Sequence, residues 1–192
     1  MRLLRGLSIG LARFEMVVGA ILAGSITVLI LLNVVTRSMG HALYWVDEAA
    51  ISAMVWMGFL GASVTLHYRQ SVSVTLIPDA LTPKFARPLG VFVDVCVLAF
   101  ALVLLVLTWF WFDPLTLAET GFDTKKFSGQ TFNFIYSEVT TTLGIPKFWL
   151  WLIIPYFSFS ITVHALRNLL GGAQSAGGSG IQLDLPELGE VS

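Results

Sequence analysis

The chain has 192 residues, of which 56% are hydrophobic and only 12% charged, with a mean hydropathy of +0.81 and a net charge of −1. An average soluble domain carries about 25% charged residues, so a water-soluble globular fold is excluded for want of polar side chains to cover such a core. The near-neutral balance gives no electrostatic footprint for nucleic acid, and the lone cysteine, Cys96, offers neither an internal disulfide nor a metal-ligand spacing.

Charged residues punctuate four apolar runs. The first, Met16 to Thr36, holds 21 uncharged residues, about 31 Å as a helix and enough to cross the hydrocarbon layer. Its amino-terminal arginines (Arg2, Arg5, Arg13) resemble a signal-peptide head. The run is nevertheless too long for a signal core, and no small-residue cleavage site follows, so a retained span is expected. The second span covers residues 49–66, the third 88–112 and the fourth 148–166. Helices satisfy every backbone group in lipid, whereas open strands do not. Cys96, inside the third run, reads as a small buried hydrophobe.

The basic residues divide unevenly between the two sides. Arg2, Arg5, Arg13, Arg69, Lys84, Arg87 and Arg167 fall on one side, and Arg37, Lys125, Lys126 and Lys147 on the other. The positive-inside rule then places both termini in the cytoplasm. Tyr44, Trp45, Trp109, Trp111, Trp149 and Trp151 all fall at the outer interface, where amphipathic rings settle.

Several polar residues stand out against this background. Arg37 closes the first span, and Asp47 and Glu48 open the second, where unpaired N–H groups favour negative charge. These charges either tie the hairpin or dock a partner. Small residues recur at helical spacing (Gly19/Ala23, Ala20/Gly24, Gly58/Ala62) and permit close helix approach within the chain or with another membrane protein. Asp94 is the carboxylate well inside a span, a functional suspect because its burial is costly; a structural pairing near the inner interface is the expectation, with Glu15 at similar depth. His67 and His164 lie toward the same side and raise the alternative of a haem b anchor. A small stand-alone exporter coupled through Glu15 or Asp94 is a second alternative. In the fourth span Pro155 predicts a bend.

The connectors are uneven too. Val72 to Pro78 alternates and then breaks, as a segment lying on the membrane surface would. Residues 113–147 are too long for a plain connector. Ile135, Val139 and Leu143, at i, i+4 and i+8, predict an interfacial helix there. Gly171 to Gly180 and the acidic end read as a flexible tail, giving a membrane domain over 1–168 and a cytoplasmic tail over 169–192.

The stretch Asn33-Val34-Val35-Thr36-Arg37, then Trp45-Val46-Asp47-Glu48, then Gly61-Ala62-Ser63 and His67, resembles the small permease subunit of tripartite ATP-independent periplasmic (TRAP) transporters, the DctQ-like proteins. A second block, Gly144-Ile145-Pro146 through Trp149 to Pro155, is similar to that family's opening of the fourth span, and the likeness covers most of residues 14–168. The chain departs from the family pattern in having Ser73 and Thr75 where an acidic residue is usual, and in its longer third loop. The resemblance implies a Na⁺-coupled uptake system for carboxylate-bearing solutes. In it a periplasmic solute-binding protein captures the solute, and a large multi-span permease subunit holds the substrate and Na⁺ sites. The small subunit is then a scaffold in the bacterial inner membrane, not an enzyme. It needs no metal or other cofactor, and its subunit interface falls at Arg37, Trp45, Asp47, Glu48, Gly58 and Ala62. The expected fold is an all-α membrane protein of four transmembrane helices with short interfacial helical segments.

Overall fold

The structure is a computed structural model and describes residues 2–68 and 83–175. The expected surface segment Val72–Pro78 and residues 176–192 of the expected tail lie outside the described residues. Among the described residues seven helices follow in order: α1 (Arg2–Ser38), α2 (Tyr44–Tyr68), α3 (Pro83–Phe112), α4 (Pro114–Glu119), α5 (Thr124–Thr131), α6 (Phe148–Trp151) and α7 (Ile153–Ser175). Four stretches among the described residues are long and apolar enough to cross a membrane: α1, α2, residues 88–119 and residues 148–171.

Each span forms where the sequence lacks charge, but the helices overrun the apolar runs. At 37 residues α1 is about 55 Å long, far more than the roughly 30 Å hydrocarbon layer. Its first turns carry a polar face instead, with Ser8, Ala12 and Glu15 buried at helical spacing. Gly40, at φ +78°, supplies the left-handed turn after α1, and the N–H groups of Gly40 and His41 bond the carbonyls of Arg37 and Thr36. The chain breaks at Leu152, between α6 and α7. Pro155 therefore lies in the first turn of α7, where its missing N–H costs nothing. The helix then continues to Ser175, past the boundary expected at 168.

The helices pack as a hairpin, α1 against α2, with α7 seated on both; α3 packs chiefly on the far side of α7. The last helix is consequently the most enclosed, burying Ile153, Ile161, Val163 and Ala165 together with Ser158, Ser160, His164 and Asn168. On α1, α2 and α3 large apolar side chains such as Val28, Leu31, Ile51, Phe100 and Leu107 point outward, as lipid-facing helices require. Cys96 is also exposed, contrary to expectation. The inward face of α3 is set by Ala101, Thr108 and Phe112, and Cys96 is out of phase with that stripe.

Residues 113–147 fold as a small lid over the end of the bundle. Its core is Phe112, Phe127 and Ile135, with Leu117, Tyr136, Phe148 and Leu152 packed around them. Two short helices do occur here, but not where the Ile135/Val139/Leu143 spacing placed one. Ile135 is buried, whereas Val139 is exposed and sits in an isolated antiparallel bridge with Pro146. Three local features defeat the helix. The Asn133 side chain accepts from the N–H of Ile135 (3.1 Å), the Thr140 hydroxyl accepts from the N–H of Ile145 (3.0 Å), and Gly144 adopts φ +67°. The helices form instead behind capping aspartates. Asp113 accepts from Thr116 N–H at 3.3 Å, with Pro114 at the first helical turn, and Asp123 accepts from Lys125 and Lys126 N–H at 3.0 and 3.2 Å.

Candidate functional site

The bundle carries one polar cluster at each end. At the loop end, Arg37 donates to Asp47 at 2.8 Å, and Asn33 donates to the other oxygen of the same carboxylate. Glu48 turns the opposite way, toward the lid. Its carboxylate accepts from the backbone N–H groups of Thr141 (3.0 Å), Thr142 (2.6 Å) and Leu143 (2.9 Å), and from the Thr142 hydroxyl (2.5 Å). Three successive N–H groups converging on one anion form a backbone nest. The acidic pair therefore fastens two things at once, Asp47 the α1–α2 turn and Glu48 the segment leading to α6.

The lid is also tied to the end of α3, whose last carbonyls have no helical partner. The Asn133 amide donates to Trp111 O at 2.6 Å, and the Tyr136 hydroxyl donates to Phe112 O at 2.5 Å. Burial first, and then the nearby Asp113 carboxylate, raise the Tyr136 phenol above its ordinary range, so it keeps the proton that this bond needs. Asp123 is shifted the other way: the N–H of Lys126, followed by that of Lys125, holds its carboxylate below the usual value. Trp111 meets Trp151 edge-on at 5.6 Å between ring centroids, which joins two members of the expected aromatic belt.

At the opposite end, where the described chain begins and ends, α1, α2 and α7 enclose a second cluster. Ser8, Glu15, Ser63, Ser160 and His164 are each at most 1% exposed, and His67 is 8% exposed. Glu15 Oε1 accepts from the hydroxyls of Ser160 (2.5 Å), Ser63 (2.9 Å) and Tyr156 (3.3 Å). Glu15 Oε2 faces His164 Nε2 at 3.6 Å and has no hydrogen-bond partner. Ser8 Oγ sits between the histidines, 2.9 Å from His67 Nδ1 and 2.8 Å from His164 Nδ1; those nitrogens are 3.3 Å apart. Arg167 Nη1 lies 3.1 Å from His67 Nδ1. Asn168 donates to Leu66 O at 2.9 Å.

This geometry gives the haem alternative no support. Axial coordination would seat iron between two imidazole nitrogens on opposite faces of a macrocycle. Metal–imidazole bonds run about 2 Å each, and the 3.3 Å gap is shorter than two such bonds. Among the described residues no group of three or more His, Cys, Asp or Glu could hold a metal ion.

The sequence-derived candidates are thus dispersed. Arg37, Asp47 and Glu48 sit together at the loop end with partners inside the chain. Trp45, Gly58 and Ala62 face outward from α2, and a Cβ added at Gly58 would meet nothing within 4 Å. Asp94 is half-buried on α3. Sequence reasoning weighed His67 with His164 as haem ligands and Glu15 with Asp94, and missed that Glu15 joins the two histidines with Ser8, Ser63 and Ser160 as companions. A signal was available: Ser8/Glu15 lie seven residues apart, two helical turns, and Ser63/His67 and Ser160/His164 four apart, each pair on one face of its helix.

Four membrane-crossing stretches, lipid-facing apolar surfaces and polar clusters closed at the two ends define a multi-pass membrane protein. Residues 26–175 match the family described as tripartite ATP-independent periplasmic transporters, DctQ component. The match covers most of the chain, which therefore belongs to the DctQ family, the small membrane subunit of TRAP transporters. No curated protein and no solved structure matches it.

Proposed function

We propose that this chain is the static small subunit of a Na⁺-coupled importer for organic acids such as dicarboxylates or sugar acids, seated in the bacterial inner membrane with both termini in the cytoplasm. A periplasmic solute-binding protein delivers the solute, and a large multi-span permease subunit carries the substrate and Na⁺ sites. The observation that supports this reading is where the polar groups go. Outside the two clusters, three hydroxyls within the spans are satisfied by their own helices: Ser25 bonds Ile21 O (2.8 Å), Thr27 bonds Ala23 O (3.0 Å) and Thr108 bonds Leu104 O (2.7 Å). The two polar clusters close on themselves, and between them the described residues offer no further convergent polar site of the kind transporters need.

The interface proposal keeps the same residues in divided roles. Arg37, Asp47 and Glu48 set the shape of the loop end, while Gly58 and Ala62, one turn apart, present an outward face of α2 for the large subunit and Trp45 adds an exposed ring at its first turn. Reconstitution of this chain alone in liposomes tests the scaffold reading. No Na⁺-dependent uptake is expected without the large subunit, and robust uptake under those conditions overturns it.

A further inference from the structure

Where α3 runs up to the lid, the described residues leave a space between them. It is a groove of about 750 Å³, within the roughly 300–1,000 Å³ usual for ligand pockets. Leu105, Thr108 and Phe112 line it from α3 at steps of three and four residues, so one face of that helix forms a wall. Leu152 and Pro155 line it from the α6–α7 break, and the lid contributes Pro114 and Tyr136. Both hydroxyls of this lining are turned to the backbone: Thr108 donates to Leu104 O at 2.7 Å and Tyr136 to Phe112 O at 2.5 Å. The Trp109 indole is the remaining side-chain donor of the lining. A polar solute would find few partners here, and a water molecule would lack the two to four that hold one in place.

The surroundings say what fills it. Leu105 to Phe112 is seven residues, about 10 Å along the helix, and the upper end lies where Trp111 and Trp151 meet in the aromatic belt. Val106, Trp109 and Phe110 border the groove and are each more than half exposed, so it opens sideways into the bilayer. Water is scarce at that depth, and an empty groove would forfeit dispersion contacts along its lining. The groove also follows a membrane-crossing helix, hence the direction of the lipid tails beside it. We propose that it holds one acyl chain of a phospholipid from the leaflet on the lid side, with the glycerol end at the level of Trp109 and Trp111. An indole N–H at that level suits the ester oxygens of such a lipid. The bound chain packs α3 against the lid where the protein's own side chains do not. This inference rests on the spans and not on the transport reading.

Two measurements on the full chain test the proposal without involving transport. Native mass spectrometry after extraction in mild detergent should show one phospholipid retained per chain. Leu105→Trp, which fills the groove from its α3 wall, should lower the retained fraction about tenfold or more. Leu107→Trp, on the exposed face of the same helix, should leave it unchanged. No retained phospholipid in the wild type, equal loss in the two variants, or no loss in Leu105→Trp overturns the proposal. The second measurement needs no variant: a phospholipid with a photoactivatable diazirine at mid-chain is incorporated in nanodiscs with the wild-type chain. Illumination should place adducts on Leu105 or Leu152 within the groove as well as on outward residues such as Leu107. Adducts on outward residues alone overturn the proposal, and this result decides should Leu105→Trp fail to fold. Groove adducts that vanish in the assembled transporter would give the groove to the large subunit and equally overturn it.

Discussion

Phe127 holds the lid of residues 113–147 together, and its truncation should open that lid without disturbing the spans. The side chain is fully buried between Phe112, Ile135 and Tyr136, with the Tyr136 ring edge-on at 5.2 Å. Truncating a buried Phe to Ala costs about 3–5 kcal/mol from lost transfer energy and the cavity left behind. That figure already contains the aromatic contact, itself about 0.5–1.5 kcal/mol. At 1.4 kcal/mol per tenfold, the opening equilibrium of the lid should rise by about a hundredfold to a few thousandfold. The rise saturates once the lid is open most of the time. Hydrogen exchange at the Phe127 amide, which donates to Asp123 O at 2.9 Å in the closed form, reads the opening directly. Trypsin reads it independently through Lys125 and Lys126 in α5. The control is Phe132→Ala: Phe132 is 82% exposed, and substitution there should stay within about 0.5 kcal/mol. Equal effects of the two variants, or unchanged exchange in Phe127→Ala, would refute the view that a packed aromatic core holds this segment.

Other expectations follow from the same geometry. Gly58→Leu should insert and fold normally, since the added side chain meets none of this chain, while the yield of co-purified large subunit per inserted small subunit falls; an unchanged ratio removes α2's outward face from the interface. Arg37→Ala breaks an ion pair whose side chains are 58% and 44% exposed, so the melting temperature should shift by the equivalent of no more than about 1 kcal/mol. A reporter fused after Ser192 should be active only in the cytoplasm, and periplasmic activity would reverse the orientation. The Asp123 cap has a pH signature. Its carboxylate titrates lower in the folded chain than unfolded, so its stabilisation of α5 is present above the unfolded value and fades as pH falls through the folded one. Protection of residues 124–131, corrected for intrinsic exchange, should drop in acid in the wild type and lose that dependence in Asp123→Asn.

The spans were legible because membrane helices announce themselves by what they lack. A run without charge, of crossing length, has one solution in lipid, and Met16–Thr36 and Ala49–Leu66 became α1 and α2 around it. The pairing of Arg37 with Asp47 was legible for a related reason, since a short hairpin brings both ends together, whereas the turn of Glu48 toward the lid was not. The polar core was not, because its contacts between helices join residues 48 to 156 positions apart and no single helix contains more than its own share. The lid misled in the opposite way. The spacing of Ile135, Val139 and Leu143 is helical, but local hydrogen bonds from Asn133 and Thr140 outcompete a helix that nothing else would have stabilised. Cys96 was misplaced because an all-apolar helix carries no periodicity from which to read its inward face.

The placement of α3 bears on how the chain assembles during synthesis. The first two spans can pair as soon as both have left the ribosome, since each is the other's main neighbour. The third meets its chief partner only when α7 emerges, after the whole lid sequence has been made. Until then α3 must reside in lipid unaccompanied, which its almost uninterrupted hydrocarbon surface permits. The arrival of α7 then joins an early hairpin to a waiting helix, so a chain truncated before residue 153 should leave two separate membrane pieces with no shared interior.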